Sequence, residues 1–132
     1  MIATGTFEVK LLWDPPHDEA GGVVLAHARG DKRFSGALEA TSQVHMISAR
    51  APVQTSAAYV AVEKIIGTLD GRRGSFTVVH IGVGDASGRT HRVEVVPDTG
   101  TEELGGMRGT MTIDIVDGQH SYTVDYTLPS VP

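Results

Sequence analysis

The chain has 132 residues, 40% of them hydrophobic, with 16 acidic side chains against 11 Lys plus Arg and a formal charge of −5. That is the usual length of one domain, here residues 1–132, and enough chain to bury a core without disulfide staples. The absence of cysteine excludes disulfides, thiolate zinc sites and cysteine nucleophiles together. Lys and Arg are not clustered as a nucleic-acid surface requires, and no apolar run approaches the roughly 20 residues of a membrane helix. Met1-Ile2-Ala3-Thr4-Gly5 lacks the basic start and apolar stretch of a signal peptide, so a cytoplasmic domain is expected, with neither nucleic acid nor membrane as partner.

Sixteen glycines, many β-branched residues and no long helical period predict an all-β protein. Thr4 to Trp13 alternates, with Phe7, Val9, Leu11 and Trp13 on one face, and stops at Asp14-Pro15-Pro16 because proline cannot donate to a ladder. Val23 to Phe34 reads as the second strand and Ala37 to Ile47 as the third, with Ser35-Gly36 bending the chain between them. Ala49 to Ser56, which contains Pro52, reads as a loop. Tyr59 to Leu69 and Ser75 to Val83 flank the turn signal Asp70-Gly71-Arg72-Arg73-Gly74. Thr90 to Val96 is the sixth strand, and a loop of small residues follows from Asp98 to Gly106. A helical turn is expected over Leu104 to Arg108. Thr110 to Val116 and Gln119 to Leu128 flank Asp117-Gly118, and Pro129 to Pro132 should form a loose tail. Eight such strands with short connections favour an antiparallel sheet closed into a barrel, which leaves no edge. An open Greek-key sandwich is the structural rival.

Hairpin register predicts which side chains meet. With Gly71 and Arg72 at the centre of the fourth-to-fifth turn, Glu63 faces His80, on an otherwise apolar face carrying Tyr59, Ala61, Ile65, Phe76 and Val78. The opposite face holds Val60, Val62, Ile66, Val79 and Ile81 as well as polar residues, so its contrast is weak. In the last hairpin, Met111, Ile113 and Ile115 share a face with His120, Tyr122, Val124 and Tyr126. The sixth strand sets Val93 beside His80 and keeps His91 on that face. The expected lumen is aliphatic and aromatic, with Glu63, His80, Tyr59, His91, His120, Tyr122 and Tyr126 as its polar groups. An eight-stranded barrel can be filled by its own side chains or hold one small ligand, and an apolar cavity with a few convergent polar groups suits a ligand.

Glu63 with His80 is the pair that could do chemistry. A shielded carboxylate beside an imidazole orients the ring and favours its charged form, as general acid–base catalysis needs. The plainer reading is a satisfied polar pair that sets register. The six histidines show no His-x-His or His-x-x-x-His spacing, and no metal or other cofactor is expected. Gly82-Val83-Gly84 and Gly105-Gly106 match neither a dinucleotide fingerprint nor a phosphate loop, and Ser35 lacks the glycines of a nucleophile elbow.

Several blocks resemble one family. They are Thr4-Gly5-Thr6-Phe7-Glu8-Val9, Phe34-Ser35-Gly36, Glu63 with Gly67-Thr68-Leu69-Asp70-Gly71-Arg72, and Gly74-Ser75-Phe76 with His80 and Gly82. Val96-Pro97-Asp98-Thr99-Gly100-Thr101-Glu102-Glu103-Leu104, Gly106-Met107-Arg108-Gly109, and His120-Ser121-Tyr122 with Tyr126 complete the set. In this order the blocks resemble domain of unknown function 3224, a bacterial family similar in shape to allene oxide cyclase. The resemblance implies an eight-stranded antiparallel barrel and assigns no reaction.

The functional expectation is a barrel that binds a small apolar or amphipathic molecule in its lumen, lined by Tyr59, His91, His120, Tyr122 and Tyr126. The first alternative is a cofactor-independent cyclase or isomerase acting on a hydrophobic intermediate through Glu63 and His80. The second is a filled, non-catalytic barrel acting as a homo-oligomer.

Overall fold

Period-two alternation runs through most of the chain, and its physical outcome is a sheet with one face turned inward. The computed structural model describes residues 1–130 and contains eight strands: β1 (Ile2–Trp13), β2 (Val24–Gly36), β3 (Leu38–Arg50), β4 (Ala57–Leu69), β5 (Arg72–Asp85), β6 (Gly88–Val95), β7 (Arg108–Val116) and β8 (Gln119–Thr127). Each pairs antiparallel with the next, and β8 closes on β1, so the sheet is a closed barrel rather than a sandwich. Following paired residues from Trp13 through Ala28, Met46, Ala61, His80, Val93, Met111 and Val124 returns to Ala3. The circuit therefore advances ten residues along β1, from position 3 to position 13, a stagger that tilts the strands by roughly 40°.

The two ends differ. At one end Leu38, Leu69, Phe76, Leu104, Met107, Tyr122 and Tyr126 are buried and fill the lumen. The loop after β6 folds beneath them. Thr101 is held by Ser75 through backbone and side-chain hydrogen bonds, and Thr99 Oγ1 accepts from the Thr77 amide, so Leu104 is pressed in as a plug. A helical turn does form in this loop, at Glu102–Leu104, just ahead of the expected Leu104 to Arg108. At the other end, Leu11, Trp13 and Ile115 lie on the inner face yet are 43%, 50% and 63% exposed. This end is a mouth.

Register in one hairpin differs from the expectation. The β4–β5 turn is centred on Asp70 and Gly71, so Glu63 is opposite Val78 and His80 is opposite Ala61. Both central residues have positive φ, 49° and 79°, which the twist of a two-residue hairpin demands and which Asp-Gly adopts more readily than Gly-Arg. The difference is two residues, one full side-chain period, so every side chain keeps its face. The last hairpin turns at Asp117-Gly118 with the expected register. Of the expected tail, Pro129 lies against Gly106, whereas Val131 and Pro132 are outside the described residues.

The outer wall of β3, β4 and β5 carries Ile47, Val60, Val62, Ile66, Ile81 and Val83 as exposed side chains. Two hollows of about 590 and 390 Å³ open on the outside of the sheet, lined mainly by outward-facing residues. No helix among the described residues is long and apolar enough to cross a membrane.

Candidate functional site

Charge inside a barrel must be compensated, and one cluster in the lumen does this. Glu63 on β4 is fully buried; His80 on β5, Ser42 on β3 and Lys32 on β2 are nearly so. Lys32 Nζ donates to Glu63 Oε1 at 3.1 Å, His80 Nε2 lies 2.8 Å from the same oxygen, and Ser42 Oγ donates to Oε2 at 2.5 Å. Diagonal placement across β4 and β5 brings Glu63 and His80 together despite the shifted register. Lys32 and Ser42 reach the same point because they face each other across β2 and β3. The ammonium of Lys32 also sits over the Phe7 ring, 4.6 Å from its centroid, which offsets part of its lost hydration.

Burial alone pushes the Glu63 carboxyl up. The His80 hydrogen bond, the Lys32 charge and the Ser42 hydroxyl outweigh that and hold it below the usual carboxylate range. An ionised carboxylate only accepts, so Nε2 of His80 carries a hydrogen and donates it to Glu63. Among the described residues no side-chain hydrogen bond reaches Nδ1, and no buried side-chain polar atom lacks a partner. Nδ1 therefore opens to the lumen.

Toward the mouth, His91 stacks on His80 with centroids 5.9 Å apart, and Tyr59 lies 5.8 Å from His91. Tyr59 folds over Gly82, where a Cβ would strike the ring, so glycine there is what lets the phenol lie flat. Burial, then the neighbouring His80 and Lys32, push the His91 imidazole down, and burial pushes the Tyr59 phenol up. His120 is half-buried on β8, 5.0 Å from Phe7. Glu63, His80, His91 and Tyr59 are thus brought together, with His120 across the lumen.

Tyr122 and Tyr126 belong elsewhere. The Tyr122 hydroxyl accepts from the Leu38 amide at 2.9 Å and faces the Ser35 and Leu38 carbonyls, at the closed end. Tyr126 donates to Asp70 Oδ2 at 2.5 Å, and burial followed by that carboxylate pushes its phenol up to about 12. Both hydroxyls are engaged in holding strands together.

Sequence reasoning missed Lys32 and Ser42. The alternation of Lys32 with Phe34, Gly30 and Ala28 was the available signal, since it places a lysine on the same face as core residues. Among the described residues no three His, Asp or Glu side chains converge as a metal site needs.

A family model described as "Protein of unknown function (DUF3224)" matches residues 3–126. A solved structure from Shewanella oneidensis MR-1, described as a protein with unknown function from the DUF3224 family, is 42% identical and superimposes with a TM-score of 0.93, covering 98% of each chain. No curated protein matches.

Proposed function

Starting from the fact that this chain belongs to the DUF3224 family, we propose that its barrel binds one small amphipathic molecule at the open end of the lumen. The observation carrying this reading is the buried Lys32–Glu63–His80–Ser42 cluster beneath a mouth of exposed inward-facing Leu11, Trp13 and Ile115. Desolvating a Lys–Glu pair costs several kcal/mol per ion before attraction repays it, and apolar residues of similar size would fill a barrel at less cost. A polar floor under apolar walls is the arrangement that orients an amphipathic guest. Its polar end meets Lys32 and His80; its apolar end packs on Leu11, Trp13, Met46 and Ile115.

A second reading is favoured by one feature of His80. Its Nε2 is held by a carboxylate while Nδ1 faces the lumen, which is how a general base is oriented. A cofactor-independent cyclase or isomerase would use the walls to fold its substrate and His80 to move a proton. Glu63, already accepting three hydrogen bonds, would then position His80 rather than meet the substrate.

Native mass spectrometry of gently purified protein tests the binding reading, with emission from Trp13, the single tryptophan, as second readout. A co-purifying molecule near one per barrel, whose removal and return shift Trp13 emission, is the expected result. Empty barrels whose Trp13 emission ignores amphipathic probes such as decanol would count decisively against it. If turnover of a co-purified molecule is then found, His80→Ala is expected to abolish it with a smaller loss of affinity.

A further inference from the structure

An antiparallel sheet with one face in the core ordinarily turns polar residues to water, and the outer wall of β3, β4 and β5 does not. Val60 lies between Ile47 on β3 and Ile81 on β5. The next row toward the mouth is Ala49, Ala58 and Val83, and the row on the other side sets Val62 against Val79. Ile47, Val60, Val62, Ile81 and Val83 are between 37% and 54% exposed. The block presents roughly 500 Å² of apolar surface, near the top of the range that a single chain leaves to water. With its polar rim it approaches the roughly 800 Å² that each partner gives to a stable pair.

Charge decides the occupant. The block itself holds no charged residue. Around it stand Asp14, His27, Arg29 and His45 on one flank, Arg92 and Glu94 on the other, Lys64 beyond Val62 and Asp85 beyond Val83. Arg29 and Glu94 share the Val62 row, each two strands from β4 and on opposite sides of it. His27 and Arg92 hold the same places in the Val60 row, and the Asp14 amide donates to the His27 carbonyl at 2.9 Å. A two-fold axis along β4 sets β2 of one copy against β6 of the other. Arg29 then meets Glu94, and Arg92 meets His27 and Asp14, each twice. Ile47 meets Ile81, whose ridge faces a hollow of about 390 Å³ lined in part by His27, Arg29, His45, Ile47 and Val60. Lys64 is four residues from Val60, about 13 Å along the strand, so a contact centred on Val60 leaves it at the rim.

We propose that this wall is the interface of a two-fold homodimer, with Val60 beside the axis and the Arg29–Glu94 pairs between copies setting its orientation. A contact of this symmetry needs one patch that complements itself. The wall supplies an apolar centre with charges of opposite sign at equal distances from β4. A net charge of −5 opposes self-association in general, so the opposed pairs select this face over the rest of the surface. Within one chain Arg92 lies 3.2 Å from Glu94, both well exposed, and pairing across the axis extends this contact into a network of Arg29, Glu94, Arg92 and Asp14. The interface lies outside the barrel and is independent of the lumen-binding reading.

The test is sedimentation equilibrium of the purified protein at concentrations up to about 100 μM, where a pair with a micromolar Kd is mostly associated. The expected mass is twice the 14.0 kDa of one chain. Val60→Glu, which brings two carboxylates together at the axis, is expected to sediment at the mass of one chain with an unchanged circular dichroism spectrum. Arg29→Glu, at an exposed position, is expected to raise the dimer Kd about tenfold, and adding Glu94→Arg to restore it. The Arg29→Glu series decides the question even if Val60→Glu does not fold. Wild-type chains that stay single at the highest concentration overturn the proposal and leave the wall to a partner of another kind. A trimer overturns it, as does a dimer indifferent to Val60→Glu and Arg29→Glu. A double variant that associates no more tightly than Arg29→Glu alone rejects the two-fold pairing.

Discussion

At the scale of the residue, Glu63 shows how one buried carboxylate is made tolerable. It accepts from Lys32, His80 and Ser42, and its folded pKa lies below the ordinary value of 4.5. A carboxyl lowered on folding stabilises the fold above its unfolded pKa, and that contribution disappears as pH falls from 4.5 through the folded value. Replacing Glu63 by Gln leaves Lys32 charged and unpaired in the lumen, which costs about 3–5 kcal/mol in comparable buried pairs. Urea unfolding at pH 7 is expected to show a loss of that size for Glu63→Gln. At pH 3 the gap between variant and wild type should narrow, because the carboxyl of the unfolded wild-type chain is then protonated and part of the advantage of the native carboxylate is gone. A gap unchanged between the two pH values would sink this account of Glu63.

At the scale of the element, the hairpins carry the site and the tyrosines clamp them. Tyr122 on β8 ties the β2–β3 turn to the last strand, since its hydroxyl accepts from the Leu38 amide and has the Ser35 and Leu38 carbonyls at 2.9 and 3.1 Å. Tyr122→Phe leaves a buried amide without its partner, at a cost of about 1–3 kcal/mol. Chemical denaturation should report that loss, and a change under about 0.5 kcal/mol would mean that water replaces the hydroxyl there. The β4–β5 hairpin makes a further point about legibility. Alternation placed Glu63 and His80 on one inner face, but the partner of each depended on which two residues formed the turn. Because the difference was an even number of residues, the faces survived it.

At the scale of the whole molecule, closure is uneven. β4 and β5 pair over thirteen residues, from Ala57 with Gly84 to Leu69 with Arg72, whereas β6 meets β7 through Val93 with Met111 and Glu94 with Thr110 alone. The outer part of β6, from Gly88 to Arg92, is exposed and pairs as a strand with β5 only. Local opening should start at this thin seam, beside His91 and the mouth. Hydrogen exchange is expected to be fastest among the strands in Gly88 to Arg92 and slowest in β4. Equal protection of the two would rule out a seam that opens on its own.

Local chemistry in the sequence determined the strands, their inner and outer faces, the Asp117-Gly118 turn and the all-β barrel class, because alternation and turn preference act over a few neighbouring residues. It also placed Glu63, His80, His91 and Tyr59 on faces that turned out to be shared. Only the tertiary structure decided that Lys32 and Ser42 complete the cluster, that Tyr122 and Tyr126 lie at the plugged end, and that the opposite end is open. Those facts depend on the ten-residue stagger of the closed sheet and on the loop bearing Leu104, which sum pairings from all around the barrel. A single strand does not carry the information about which end of the lumen its residues will reach.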